Sequence, residues 1–240
     1  PRAVGVFCGG APAVRSGSID LTSELREGGG RGGTVGRARQ RGRSALVSTQ
    51  VKWFVVLNDN VILAEFYDNG FNVTDTNLLQ SAAKTYAAIL VHQLVDAGKI
   101  KMEDKVETIL PEFKGSSIGV ANVQQVLDHT SGLPQLLDLH TPDSVGQRWE
   151  ISIGLQGGKA QGHSAMIKKT KADKKPGEAW QHSDMNTDIL GLLVEKASGH
   201  KFTELLTALY APIGAKYSGT IAYLNVGTFV TTSRLITLAH

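Results

Sequence analysis

One stretch, TDTNLLQSAAKTYAAILVHQLVDAGK over residues 74–99, constrains this chain more than any other. Tyr86, Ile89, Leu90 and Leu94 recur at helical spacing, and Asp96-Ala97-Gly98 supplies a stop. Asp75 or Asn77 is the expected N-cap. Ser81 then falls at the start of a long helix, and Lys84 lies one turn on, along the same face. That pairing suits a nucleophile. An amine within reach can accept or steer the hydroxyl proton. The helix N-terminus offers unpaired N–H groups and positive potential where an oxyanion develops. Ser-x-x-Lys is a weak pattern by itself, and a second copy occurs at Ser198-Gly199-His200-Lys201. There Gly199 marks a helix end, so Ser198 has no helix N-terminus beneath it.

Composition sets outer bounds. The 240 residues are 41% hydrophobic and 20% charged, with a net charge of +3. These values suit a globular protein. Cys8 stands alone, which excludes an internal disulfide and leaves no cysteine-based metal site. No run approaches the ~18 apolar residues of a membrane-spanning helix. Residues 1–48 include REGGGRGGTVGRARQRGR and read as a Gly/Arg-rich, disordered leader. Its arginines over 31–43 suit nucleic acid electrostatically, but no aromatic residue interleaves them, so no nucleic-acid partner is assigned. A single domain is expected over 49–240.

The remaining elements follow in order. QVKWFVVLNDNVILAEFY over 50–67 reads as a β-hairpin around Asn58-Asp59-Asn60, and Asp68-Asn69-Gly70 is a turn. Glu103-Asp104 begins a short helix that Pro111 ends. Asn122 and Gln125 form a capping box for VQQVLDH, which runs into the tight turn His129-Thr130-Ser131-Gly132-Leu133-Pro134. Residues 141–178 are polar with little regular pattern, and Lys168, Lys169, Lys171, Lys174 and Lys175 read as a solvated face. Ser183 or Asp184 caps an amphipathic helix with Ile189, Leu190, Leu193 and Val194 inward. FTELLTALY over 202–210 is a further helix, and another is expected to start near Thr231. Trp149 and Trp180 are candidates for a pocket wall.

Several of these segments, in this order, resemble one family. QSAAKTYAAILVHQLVDAGKIKMEDKV is similar to the nucleophile segment of the serine β-lactamase and penicillin-binding-protein superfamily. More narrowly, it resembles class C β-lactamase-related esterases and 6-aminohexanoate-dimer (nylon-oligomer) hydrolases. VQQVLDHTSGLP resembles the helix and turn that follow, and KPGEAWQHSDMNTDILGLLVEKASG resembles the second motif region. The resemblance spans residues 50–240. It implies an α/β, β-lactamase/transpeptidase-like fold, a helical cluster plus an antiparallel sheet. It also implies a serine hydrolase that cleaves small esters or amides through a Ser81 acyl-enzyme, with Lys84 as base, no metal and no cofactor. Gln80, Trp180 and Asp184 are the pocket candidates. Oligomeric state stays open, as does a cytoplasmic against a periplasmic or secreted compartment for this bacterial-type family.

Three departures from the family pattern matter. His182 stands where the family carries a tyrosine that relays the nucleophile's proton. Its ring is shorter by roughly 2 Å of reach. It acts directly, acts through a water, or only fills the space. Asp184 stands where asparagine is usual, and it could bond Lys84 and hold it protonated. The third motif, Lys-Thr-Gly or His-x-Gly, does not occur in these 240 residues, so the fold is expected to lack its C-terminal strands. The alternative function is a catalytically impaired or truncated homologue, or a penicillin-binding-type protein.

Overall fold

The computed structural model describes residues 4–9, 51–58, 61–72, 74–212, 220–221 and 236–239. The chain forms two compact units, residues 1–77 with 240 and residues 78–239.

The first unit is a three-stranded antiparallel sheet with strand order β1-β2-β3: β1 (Val4–Gly9), β2 (Trp53–Asn58) and β3 (Val61–Tyr67). The hairpin read from residues 50–67 is present, with a bulge between Val56 and Leu57. Asp59-Asn60 of its turn lie outside the described residues. Part of the stretch read as a leader is sheet: the apolar run VGVFCG forms β1 and pairs with β2 from Val4–Asn58 to Gly9–Trp53. Residues 10–48 lie outside the described residues. The turn at Asn69-Gly70 is closed as expected. Both residues have positive φ, and Asn69 donates its side-chain amide to the Val51 carbonyl at 2.8 Å.

The second unit opens at the end of β4 (Thr76–Leu78), which leads into a 3₁₀ turn over Gln80–Ala83. The turn runs directly into α1 (Lys84–Asp96). Neither expected N-cap is used. Leu79 takes the cap position without a side-chain bond, and the Asp75 carboxylate instead accepts from the Asn72 N–H at 2.7 Å. At the far end Gly98 has φ +66. The Gly98 N–H bonds the Val95 carbonyl at 2.9 Å, and the Lys99 N–H bonds that of Leu94 at 2.9 Å. That two-bond closure needs a left-handed residue, which glycine supplies without strain. The buried face of α1 is Ala87, Leu90, Val91 and Leu94, while Ile89 is exposed.

Next come α2 (Val106–Ile109), a 3₁₀ turn over Pro111–Phe113, and α3 (Val123–Leu127). The capping box on α3 is complete. Asn122 Oδ1 accepts from the Gln125 N–H at 2.8 Å, and Gln125 Oε1 accepts from the Asn122 N–H at 3.0 Å. The polar stretch 141–178 is more ordered than its pattern suggests. It contains α4 (Val145–Ser152), capped by Ser144, and α5 (His163–Lys169). Both are short, and neither has a continuous apolar stripe. Lys168, Lys169, Lys171, Lys174 and Lys175 are exposed, as the solvated-face reading expects. A cavity of about 520 Å³ lies between α4 and α5, rimmed by Arg148, Lys159, Lys169 and Lys171.

The centre of the unit is α6 (Asp184–Ser198), which packs on α1, α2, α3, α5 and α7 (Phe202–Tyr210). The helix expected to be amphipathic is buried on every side from Asp184 through Gly191, and again at Leu193 and Val194. Gly199 ends it with φ +76. Its polar residues are bonded inward: Asp188 Oδ2 accepts from the Trp149 indole N–H at 3.0 Å, and Asn186 Oδ1 accepts from Ser131 Oγ at 2.6 Å. Trp149, a candidate for the pocket wall, is fully buried in this core because its indole N–H finds the Asp188 carboxylate there. Gly132 has φ +87, and a Cβ on it would meet the Lys174 carbonyl oxygen at 2.2 Å, so only glycine fits that turn. At the end of the chain, β5 (Thr220–Ile221) pairs antiparallel with β6 (Ile236–Ala239). Thr231 lies outside the described residues, and Ile236–Ala239, where the expected helix would continue, is strand.

Candidate active site

Ser81 sits inside the 3₁₀ turn and Lys84 is the first residue of α1, so the tight turn sets both side chains on one side. Lys84 Nζ is 3.1 Å from Ser81 Oγ. The same amine is 2.5 Å from Asp184 Oδ1 at the start of α6, and both of these side chains are largely buried. The acid that the sequence offered as a partner for Lys84 is therefore its ion-pair partner. Two largely buried opposite charges at this distance stabilise each other.

His182 lies just before α6, half-exposed, with Nε2 4.0 Å from the same Asp184 oxygen. Trp180 is 62% exposed, and its ring centroid is 6.2 Å from that of His182. Ser81, Lys84, Asp184, His182 and Trp180 are thus linked by successive contacts. Gln80 belongs to the 3₁₀ turn, but its side chain lies outside the described residues. The second Ser-x-x-Lys copy is different. Ser198 is the last residue of α6, and its hydroxyl lies 3.4 Å from the Glu195 carbonyl and accepts from the His200 N–H at 3.0 Å. No helix begins beneath it.

One residue of the cluster was read from sequence only as part of a structural turn. His129 has a left-handed backbone, φ 56, and its ring stacks on His182 with centroids 5.0 Å apart and planes 5° from parallel. Its Nδ1 accepts the Ser183 backbone N–H at 3.2 Å, and its carbonyl accepts the Gln181 N–H at 2.8 Å. Burial lowers its pKa, and the nearby charges of His182 and Lys84 lower it further. A neutral ring that accepts at Nδ1 carries its proton at Nε2. The only sequence signal for this role is the unusual histidine at the mouth of a glycine turn.

Among the described residues no helix is long and apolar enough to cross a membrane. No group of three or more His, Cys, Asp or Glu among them could hold a metal ion.

Comparison with known proteins places this chain in a family. The sequence model of the Beta-lactamase family matches residues 77–217. The 6-aminohexanoate-dimer hydrolase of Paenarthrobacter ureafaciens is 32% identical over 178 residues, which cover 72% of this chain and 45% of that protein. The chain therefore spans less than half the length of that relative. A solved Bacillus anthracis structure, provisionally named a 6-aminohexanoate-dimer hydrolase, superposes with a TM-score of 0.73 at 17% identity, over 82% of this chain and 53% of that one. A class C beta-lactamase superposes with a TM-score of 0.56 at 17% identity, over 77% and 55%. The expected β-lactamase/transpeptidase-like fold is thus the observed one. Its helical cluster carries Ser81 and Lys84 at the head of α1, inside a family match that covers more than half of the chain: the protein belongs to the beta-lactamase family, within the serine β-lactamase and penicillin-binding-protein superfamily.

Proposed function

We propose that the protein is a serine hydrolase that cleaves small esters or amides, linear amides included, through an acyl-enzyme on Ser81. The observation that carries this reading is the 3.1 Å contact between Lys84 Nζ and Ser81 Oγ at the start of α1. In the first step Ser81 Oγ bonds to the substrate carbonyl carbon, and its proton passes toward Lys84 with assistance from His182. The carbonyl oxygen gains negative charge, which the Ser81 backbone N–H and the helix start stabilise. Collapse of that intermediate breaks the bond to the alcohol or amine, which leaves with the proton. Water then attacks the acyl carbon, releases the acid and restores the Ser81 hydroxyl. No metal or organic cofactor enters these steps.

The Asp184 contact supports a second reading, an attenuated homologue. Lys84 is engaged by a carboxylate at 2.5 Å, and a lysine held there as an ion pair must first give up its own proton before it can accept the one from Ser81. Turnover of a chromogenic ester and a chromogenic cephalosporin, measured side by side, separates the readings. Ester turnover that falls at least ~10³-fold in Ser81→Ala is the expected result. Cephalosporin turnover that exceeds it would identify a β-lactam enzyme. Turnover of neither substrate would favour the attenuated homologue.

A further inference from the structure

We propose that His129 is the positioning residue of this site, holding the segment that carries His182 through the Ser183 N–H bond to its Nδ1 and the parallel stack of the two rings. The inference rests on the reading of Ser81 as the nucleophile. His129 reaches this segment three ways. Its carbonyl takes the Gln181 N–H, its Nδ1 takes the Ser183 N–H, and its ring covers the ring of His182 between them. Asn186 Nδ2, one turn into α6, lies 3.3 Å from the same Nδ1. The residues before and after His182 are therefore fixed by one side chain and its backbone.

This arrangement requires an acceptor at Nδ1. Protonation turns that nitrogen into a donor, which faces the Ser183 N–H and cannot bond it. It also sets a cation against the His182 ring and near Lys84, with Asp184 the one anion among the charged groups that act on His129. Acid thus releases the segment that bears His182. The left-handed backbone at His129 is one that asparagine also adopts readily, and asparagine Oδ1 occupies the place of Nδ1 without titrating.

The test is the pH profile of kcat and KM for the wild type, His129→Asn and His129→Ala. His129→Ala is expected to lower kcat about 100-fold with KM little changed, as a misplaced catalytic group does. His129→Asn is expected to recover most of that loss and to lack the acid limb that His129 gives the wild type. A wild-type kcat in His129→Ala, or the same acid limb in His129→Asn, would overturn the proposal. A second readout does not need turnover. In proton NMR the His182 Cε1–H is shielded by the stacked ring, and it is expected to move downfield in His129→Asn. An unmoved His182 resonance would overturn the stack. If the wild type shows no Ser81-dependent turnover, the hydrolase reading fails, while this resonance still decides the placement of His182.

Discussion

Lys84→Met lowers kcat/KM for ester hydrolysis by about 10³-fold, within the range for loss of a positioned base. The amine removed is the one that touches both Ser81 Oγ and Asp184. The same change uncouples the buried Asp184 carboxylate, so it also costs about 3–5 kcal/mol of stability. The two losses separate in the double variant Lys84→Met/Asp184→Asn. Removing the carboxylate charge restores most of the stability, measured by urea unfolding, and leaves the activity low. Restoration of activity along with stability would mean that Lys84 only holds the structure together. Full activity in Lys84→Met alone would remove it from the mechanism.

Acid destabilises the protein through His163. This residue begins α5, is 1% exposed, and its Nδ1 has no hydrogen-bond partner among the described residues. Burial lowers its pKa from 6.5 to about 4. Between those values the unfolded chain binds a proton that the folded chain refuses. Stability that is complete above pH 6.5 is therefore lost as pH falls toward 4, by about 3 kcal/mol at that end. Unfolding free energies at pH 7 and pH 4 for the wild type and His163→Leu measure this directly. The leucine variant removes the ionisation at similar volume, so its loss between the two pH values is expected to be about 3 kcal/mol smaller. Equal losses would show that His163 does not carry the effect.

What the sequence made legible was mostly local. The Gly98 stop, the Asn122–Gln125 capping box and the hairpin are each set by neighbours within a few residues, and each is present. Ser81 and Lys84 are three apart, so their contact followed from spacing once the turn and helix began there. The Lys84–Asp184 contact crosses 100 positions, and comparison with the family's usual asparagine was needed to suspect it. His129 was missed as part of the site because its partners, Ser183 and His182, lie more than 50 residues on, and no local pattern records the stack. The helices α4 and α5 were missed because their exposed faces are polar and each is too short to show a full apolar stripe. Helix α6 was identified, but its burial was underestimated. Its polar first turns are satisfied by Lys84, Ser131 and Trp149, all distant in sequence.

The central claim is that Ser81 is an activated nucleophile. Incubation with a fluorophosphonate, followed by intact mass and peptide mapping, tests it most directly. A single adduct on the peptide that carries Ser81, absent from Ser81→Ala and kept in Ser198→Ala, is the expected result. No adduct, or one that persists in Ser81→Ala, would contradict it.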